Sequence, residues 1–331
     1  MFKPFPSVVQ SLAGKRVLVT GGAGFIGSNL SEALLELGAH VTVLDDLSTG
    51  LESNVKRLEA NPNYRFVKTD ICEPDSYREL LKEIDLVSHQ AALGSVPRSI
   101  EFPLNTHRVN ATGFLTFLHE VKDAGIKRFV YASSSSVYGD AAQSPKSEGG
   151  EGNLLSPYAV TKQLNEEYAG VYFRLHGVET VGLRYFNVFG PYQNPEGVYA
   201  AAIPKFLDKM ENGGEITVNG DGNQTRDFTF VRNAVLANLL SLSGNNPDSF
   251  GKVYNVACGA SCTLNHVIDS LETGLKKLGI NAKHTVKYGP DRNGDIRDSL
   301  ANIDSIKTNL GYEALYTFEE GIDAYLAFQL R

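Results

Sequence analysis

The chain has 331 residues, 42% of them hydrophobic, and 31 Lys+Arg against 38 Asp+Glu give a formal net charge of −7. That length suits two domains, or one large domain with a lid, around an ample buried core. The acidic balance leaves no basic footprint for nucleic acid, and no apolar run approaches a membrane span.

From the N-terminus, MFKPFPSVVQSLAG lacks the apolar core of a signal peptide, so a cytoplasmic location is expected. Arg16 to Thr20 is a short β-branched run, and Phe25, Ile26, Leu30, Ala33, Leu34 and Leu37 then recur at helical spacing. Between them Gly21, Gly24 and Gly27 form G-x-x-G-x-x-G. Such glycines let the backbone turn sharply and approach a pyrophosphate resting on the helix N-terminus. A second strand, His40 to Leu44, ends in Asp45 and Asp46, where an acid meets ribose hydroxyls and repels a 2′-phosphate. A glycine turn can merely pack helix on strand; the strand–turn–helix–strand context and the terminal acid point to NAD.

The alternation continues. Tyr64 to Lys68 is a strand leading to Asp70 and Ile71, and Asp85 to His89 one leading to Gln90, Ala91, Ala92 and Leu93. A long helix is predicted from Asn105 to Asp123, with Asn110 within it, and Arg128 to Ala132 is a strand running into Ser133–Ser136. Strands alternating with helices predict an α/β fold, a doubly wound parallel sheet of the Rossmann kind, with ligand at the carboxyl ends of the strands.

Tyr158 and Lys162 lie four residues apart in SPYAVTKQ, with Ser156 a good N-cap and Pro157 suited to the first helical position. On a helix that spacing sets the two Cβ atoms roughly 5–6 Å apart on one face. An ammonium there favours phenolate, so Tyr158 is a candidate general base. The same pair also suits a plain amphipathic surface helix.

Together, TGGAGFIGSNL, DDLSTG, the QAAL segment, SSSSVYGD, SPYAVTK and LRYFNVFGP resemble the extended short-chain dehydrogenase/reductase family, in its motif order, from Lys15 onward. The closer resemblance is to its nucleotide-sugar 4-epimerases. It implies a catalytic Ser134, Tyr158 and Lys162, with Ser135 the alternative serine. It also implies that NAD stays bound, contacted additionally by Tyr185, and that the tyrosine takes the sugar 4-hydroxyl proton while Lys162 lowers its pKa. Related dehydratases and decarboxylases carry acids directly after the catalytic Ser/Thr, where this chain has Ser135 and Ser136. Non-catalytic NAD sensors on this fold usually lack the Tyr/Lys pair.

From Asn187 the alternation loosens. The resemblance implies a dinucleotide-binding domain over 1–186 and a smaller mixed α/β substrate domain over 187–331, with chain crossing back to the first sheet. For a UDP-sugar it implies Asn187, Arg226, Arg292 and Asp295 at uracil, diphosphate and ribose, with Ala201, Thr217 and Asn219 adding uridine contacts. Arginine forks suit a diphosphate, although local acids offer them ordinary ion pairing. Around the sugar it implies Gly94, Ser95, Ser135, Gln193 and a size gate at Ser299. AALGSVPRS resembles the UDP-N-acetylglucosamine 4-epimerase group, while Arg98 within it also suits a uronic carboxylate. A homodimer through the helices near 105–123 and 157–176 is implied too; Leu115, Leu118 and Val121 fit that interface or the monomer core. Cys72, Cys258 and Cys262 are wrongly spaced for zinc, and the seven histidines form no HxxxH or HExxH pair, so no metal is expected.

Overall fold

A computed structural model describes residues 2–194, 201–290 and 297–330. Strands β1 (Arg16–Thr20), β2 (His40–Asp45), β3 (Tyr64–Lys68), β4 (Leu86–His89), β5 (Arg128–Ser134) and β6 (Glu179–Tyr185) pair in parallel, and strand Lys252–Val256 adds to β6. Beginning at that edge strand, the seven run in the order Lys252–Val256, β6, β5, β4, β1, β2, β3. The order reverses between β1 and β4. Loops leave in opposite directions there, which opens a crevice at the carboxyl ends of the strands.

Strand composition follows from cover on both faces. Val17, Leu18 and Val19 of β1 are all fully buried, as befits a parallel sheet between helices. One cover is α1 (Phe25–Glu36), which turns Leu30, Ala33 and Leu34 inward. Beside it lies the Val231–Ser243 helix, buried on all sides against α1, β4, β5 and β6. That helix and the Lys252–Val256 strand come from the second half of the chain and complete the first half's sheet. On the opposite face His89 packs between Phe114 and Phe117 at 5.3 and 5.2 Å.

The helix expected over 105–123 starts earlier and is not uniform. It runs as Pro103–His107, a π-helical turn Arg108–Gly113, and Phe114–Asp123. Two contacts account for the wide turn. A Cβ at Gly113 would sit 2.8 Å from the Cys72 sulfur, and buried Asn110 reaches inward to the Leu93 backbone. Such π turns are frequent at functional sites. Leu118 and Val121 are fully buried in the monomer core, so they are not interface residues.

Short pieces frame the other side of the crevice. Strand Glu215–Asn219 pairs with Thr285–Gly289, and Thr225–Arg226 lies between Cys262–Thr263 and Asp298–Ser299. Asp227 holds these segments together: its carboxylate accepts N–H bonds from Cys258 and Gly259 at 3.0 Å and from Ala301 at 3.4 Å. Fully buried, that carboxyl is pushed up to about 6 by desolvation, the amides acting against the rise.

Candidate active site

The crevice begins at the glycine turn. Gly21 has φ +67°, and a Cβ there would lie 2.6 Å from Ala91 N. A Cβ at Gly27 would lie 2.2 Å from Gly21 O, so only glycine lets α1 start this close to β1. Gly24 is the N-cap and offers no side-chain cap; the first-turn N–H groups, those of Phe25 and Ile26 among them, are left for an anion. A cleft of about 80 Å³ beside the turn is lined by Gly21, Gly24, Asp45, Asp46, Asp70, Ile71, Gln90, Ala91 and Ala92, among others. Asp45 does double duty. Buried at the end of β2, it accepts from Ala23 N at 2.9 Å and Leu47 N at 2.8 Å while bordering the cleft. Burial raises its carboxyl, and those two amides oppose the rise.

Farther along, Tyr185 donates to Gln90 Oε1 at 2.9 Å and accepts from Asn238 at 2.7 Å. Asn110 acts through backbone: it grips Leu93 N and O and does not border the cleft. Glycine turn, uncapped helix start and acidic strand end fit a dinucleotide.

The Pro157–His176 helix begins as its sequence dictates, with Ser156 accepting from Ala159 N at 3.2 Å. It lies along β5 and projects Tyr158 and Lys162 toward that strand's end. The Ser134 hydroxyl hydrogen-bonds Tyr158 and also accepts from Ser136 N at 3.1 Å. Ser134, not Ser135, is therefore the serine against the phenol. Lys162 is 2% exposed, and its Nζ donates to Ala132 O at 2.8 Å.

The charge balance differs from expectation. Burial holds Tyr158 above its ordinary value, and the Ser134 hydrogen bond opposes it. Lys162 lies 5.8 Å from the Tyr158 ring centre, and burial pulls its own ammonium down to about 8. Desolvation outweighs the Ser134 hydrogen bond at the phenol and the Glu166 charge at the ammonium.

A chamber of about 500 Å³ opens on Tyr158, lined by Ser134, Ser135, Tyr158, Tyr185, Asn187, Arg226 and Ser299 among others and, among the described residues, by no Asp or Glu. It also has walls the sequence did not reveal: Val96, Pro97, Ile100, Leu155, Ser136 and Lys146. Lys146 is 4% exposed; its ammonium donates to Ala141 O and has no carboxylate partner among the described residues. Ser136 has a buried hydroxyl oxygen without a hydrogen-bond partner among the described residues. A neighbouring pocket of about 360 Å³ is lined by Asn187, Ala201, Thr217, Asn219 and Arg226 with Phe206 and Phe228. Asn187 and Arg226 border both spaces. Asn187 sits at φ +37°, and Arg226 donates to the carbonyls of Thr225 and Arg297 at 2.8 and 3.1 Å.

Three expected sugar residues lie elsewhere. Gly94 is exposed, and Ser95 caps the next helix by accepting from Arg98 N; the chamber wall starts one residue later, at Val96. Gln193 turns back to Val188 O at 3.4 Å. Arg292 and Asp295 lie outside the described residues.

Comparison with known proteins agrees with this arrangement. The family model for the NAD dependent epimerase/dehydratase family matches residues 17–257. A putative UDP-glucose 4-epimerase of Methanocaldococcus jannaschii is 35% identical over 308 residues, 92% of this chain and 95% of the relative. A UDP-N-acetylglucosamine 4-epimerase from Methanobrevibacter ruminantium, solved with UDP-N-acetylmuramic acid, superposes with TM-score 0.89 at 35% identity, covering 96% of this chain and 99% of that one. A UDP-glucuronic acid 4-epimerase from Bacillus cereus, solved with UDP-glucuronic acid and NAD, gives TM-score 0.84 at 30% identity over 96% and 100% of the two chains. The chain belongs to the NAD dependent epimerase/dehydratase family. Its cofactor is NAD.

Proposed function

We propose that the protein is a UDP-hexose 4-epimerase whose preferred substrate is UDP-N-acetylglucosamine, converted to UDP-N-acetylgalactosamine. The observation that carries this reading is the hydrogen-bonded Ser134–Tyr158 pair facing a chamber whose wall residue Tyr185 bonds Gln90 of the dinucleotide cleft, with buried Lys162 one turn on. Bound NAD supplies the hydride acceptor and, once reduced, the donor, so none is consumed.

The chain's own residues do the rest. Tyr158, as phenolate, accepts the 4-hydroxyl proton and later returns it, and Ser134 hydrogen-bonds the same oxygen. Lys162 holds the nicotinamide ribose and contributes positive charge beside the phenolate. Glycine turn and α1 N-terminus take the pyrophosphate, with Gly21, Gly24 and Gly27 as the close-approach positions and Asp45 at the adenosine ribose. Asn187, Ala201, Thr217 and Asn219 take uridine, and Arg226, with Arg292 and Asp295, the diphosphate and ribose. Ser299 borders the chamber with a hydroxymethyl group, which leaves room for an acetamido substituent where a phenol ring would not.

Incubating the purified protein with a panel of UDP-sugars, without added NAD, tests the reading. Interconversion of the N-acetylated pair is expected, with NAD(H) released on denaturation. No released cofactor and a stoichiometric demand for NAD would reject it. A second reading, a UDP-hexuronate substrate, is favoured by buried Lys146 in a chamber lined, among the described residues, by no carboxylate. Faster turnover of UDP-glucuronic acid than of UDP-N-acetylglucosamine selects it.

We also propose a homodimer. Leu104 (86% exposed) precedes the π turn, and Leu175 (72%) ends the Pro157–His176 helix. Leu175 belongs to a helix expected at the interface, and Leu104 to the earlier start of the other. Leu175→Glu is expected to yield a monomer by light scattering. No helix among the described residues is long and apolar enough to cross a membrane.

A further inference from the structure

Behind Tyr158 and Lys162 lies a buried ion cluster that the proposed chemistry does not use. Glu166 follows Lys162 by one helical turn, so both carry their side chains on one face of the Pro157–His176 helix. Its carboxylate is 7% exposed and fully engaged. Arg184 of β6 binds it through two nitrogens, at 2.9 and 2.7 Å, and Ser133 of β5 donates to it at 2.5 Å. The Arg184 guanidinium reaches Glu151 with its remaining arm and lies 4.9 Å from the Tyr138 ring centre.

The placement of these contacts matters. Ser133 immediately precedes Ser134, the hydroxyl that meets Tyr158, and Ala132 O receives the Lys162 ammonium. Strand end and helix are thus pinned twice, by Lys162 at Ala132 and by Glu166 at Ser133. An ammonium this buried also needs an opposite charge to stay ionised, because desolvation disfavours the charged form.

We propose that Glu166 is a positioning residue for the epimerisation chemistry: it supplies the counter-charge that keeps Lys162 an ammonium and, through Ser133, fixes the strand end carrying Ser134. This rests on the epimerase reading with Tyr158 as base.

Among the described residues, the groups around Lys162 leave no other source of that charge. Tyr158 and Glu166 share its helix, and on β4 His89 is fully desolvated, pulled down to about 3, and hence neutral. Tyr131 on β5 is also neutral, held well above its ordinary value by burial. Arg184 on β6 is a cation that binds both Glu166 and Glu151, and of these two carboxylates only Glu166 stands one helical turn from Lys162. Burial lowers Lys162 to about 8, and Glu166 is the charge that opposes the drop.

The experiment is a set of pH profiles on the NAD-loaded enzyme with the UDP-sugar it turns over. Glu166→Gln is expected to move the alkaline limb of kcat toward acid by about one pH unit and to lower kcat about tenfold, KM being unchanged. Ser133→Ala keeps every charge and is expected to lower kcat only a few-fold, the limb staying in place. Glu166→Asp, which restores the charge, is expected to return the limb toward its original position. The double variant Glu166→Gln/Arg184→Met leaves no orphan guanidinium at that position, and a smaller limb shift in the same direction is expected because a cation leaves with the carboxylate. An unmoved limb in both Glu166→Gln variants, or a loss confined to KM or thermal stability, overturns the proposal. Full turnover in Tyr158→Phe would instead reject the reading beneath it.

Discussion

The cofactor side and the sugar side of the crevice are built by different means. On the cofactor side, Gly21, Gly24 and Asp45 come from one strand–turn–helix–strand unit, and each is held by neighbours within that unit or on the adjacent strand. On the sugar side, Val96, Ser134, Lys146, Leu155, Asn187, Arg226 and Ser299 come from segments far apart in sequence, joined by two-residue strands and the buried Asp227. A contiguous unit is constrained by backbone sterics; a dispersed one is constrained by what packs behind it. Changes on the first side should cost the fold and cofactor together, and changes on the second should redirect specificity.

The junction of the two sides should be the most sensitive. Tyr158→Phe removes the proposed base and almost no volume, so kcat is expected to fall about 10²- to 10⁴-fold while UDP-sugar binding persists. Steady-state kinetics with a binding titration check this, and a fall under tenfold would remove Tyr158 from the role.

Next comes the cofactor side. Gly27→Ala drives a methyl to 2.2 Å from Gly21 O, a backbone atom that cannot swing aside. Overpacking of this kind costs typically about 1–3 kcal/mol, so a lower Tm is expected together with loss of co-purified NAD. Retained NAD at unchanged Tm would mean the turn is more compliant than its contacts indicate.

Ser299→Tyr probes the sugar side at a smaller scale. Turnover of UDP-N-acetylglucosamine is expected to drop about tenfold or more against that of UDP-glucose, with Tm unaltered, since one wall is crowded and no core is disturbed. Equal effects on the two substrates would reject a gate at this position.

The subtlest test concerns how the dispersed segments are held. Because the folded-state carboxyl of Asp227 is raised to about 6, the folded protein binds that proton more tightly than the unfolded chain. Its stabilising contribution is complete below the unfolded pKa of about 4 and is lost as pH rises through about 6. Wild type should therefore gain Tm between pH 7 and 5 relative to Asp227→Asn. Parallel Tm curves for the two proteins would show that Asp227 does not titrate in this window.

Legibility in the sequence followed the same divide. The β-branched run marked β1, the acid Asp45 marked the end of β2, and β3 begins and ends where its sequence indicates, at Tyr64 and Lys68. Ser156-Pro157 marked the start of the helix that carries Tyr158 and Lys162. The π turn was not legible, because it depends on Cys72 packing at Gly113 and on Asn110 reaching Leu93. Lys146 was equally silent: nothing local distinguishes a lysine held among buried loops from one on a surface. Gly94 and Ser95 were displaced by a single residue, since the Ser95 cap sets which residue first turns into the chamber.

By itself, then, the sequence determined the parallel sheet, the dinucleotide turn and the Tyr158–Lys162 spacing, all fixed by steric and periodic rules that act over a few residues. Only the tertiary structure decided which serine meets Tyr158, which side chains wall the sugar chamber, and that burial outweighs the Ser134 hydrogen bond at the phenol. Desolvation and cavity shape depend on every segment packed around a group, and those segments are distant in the chain.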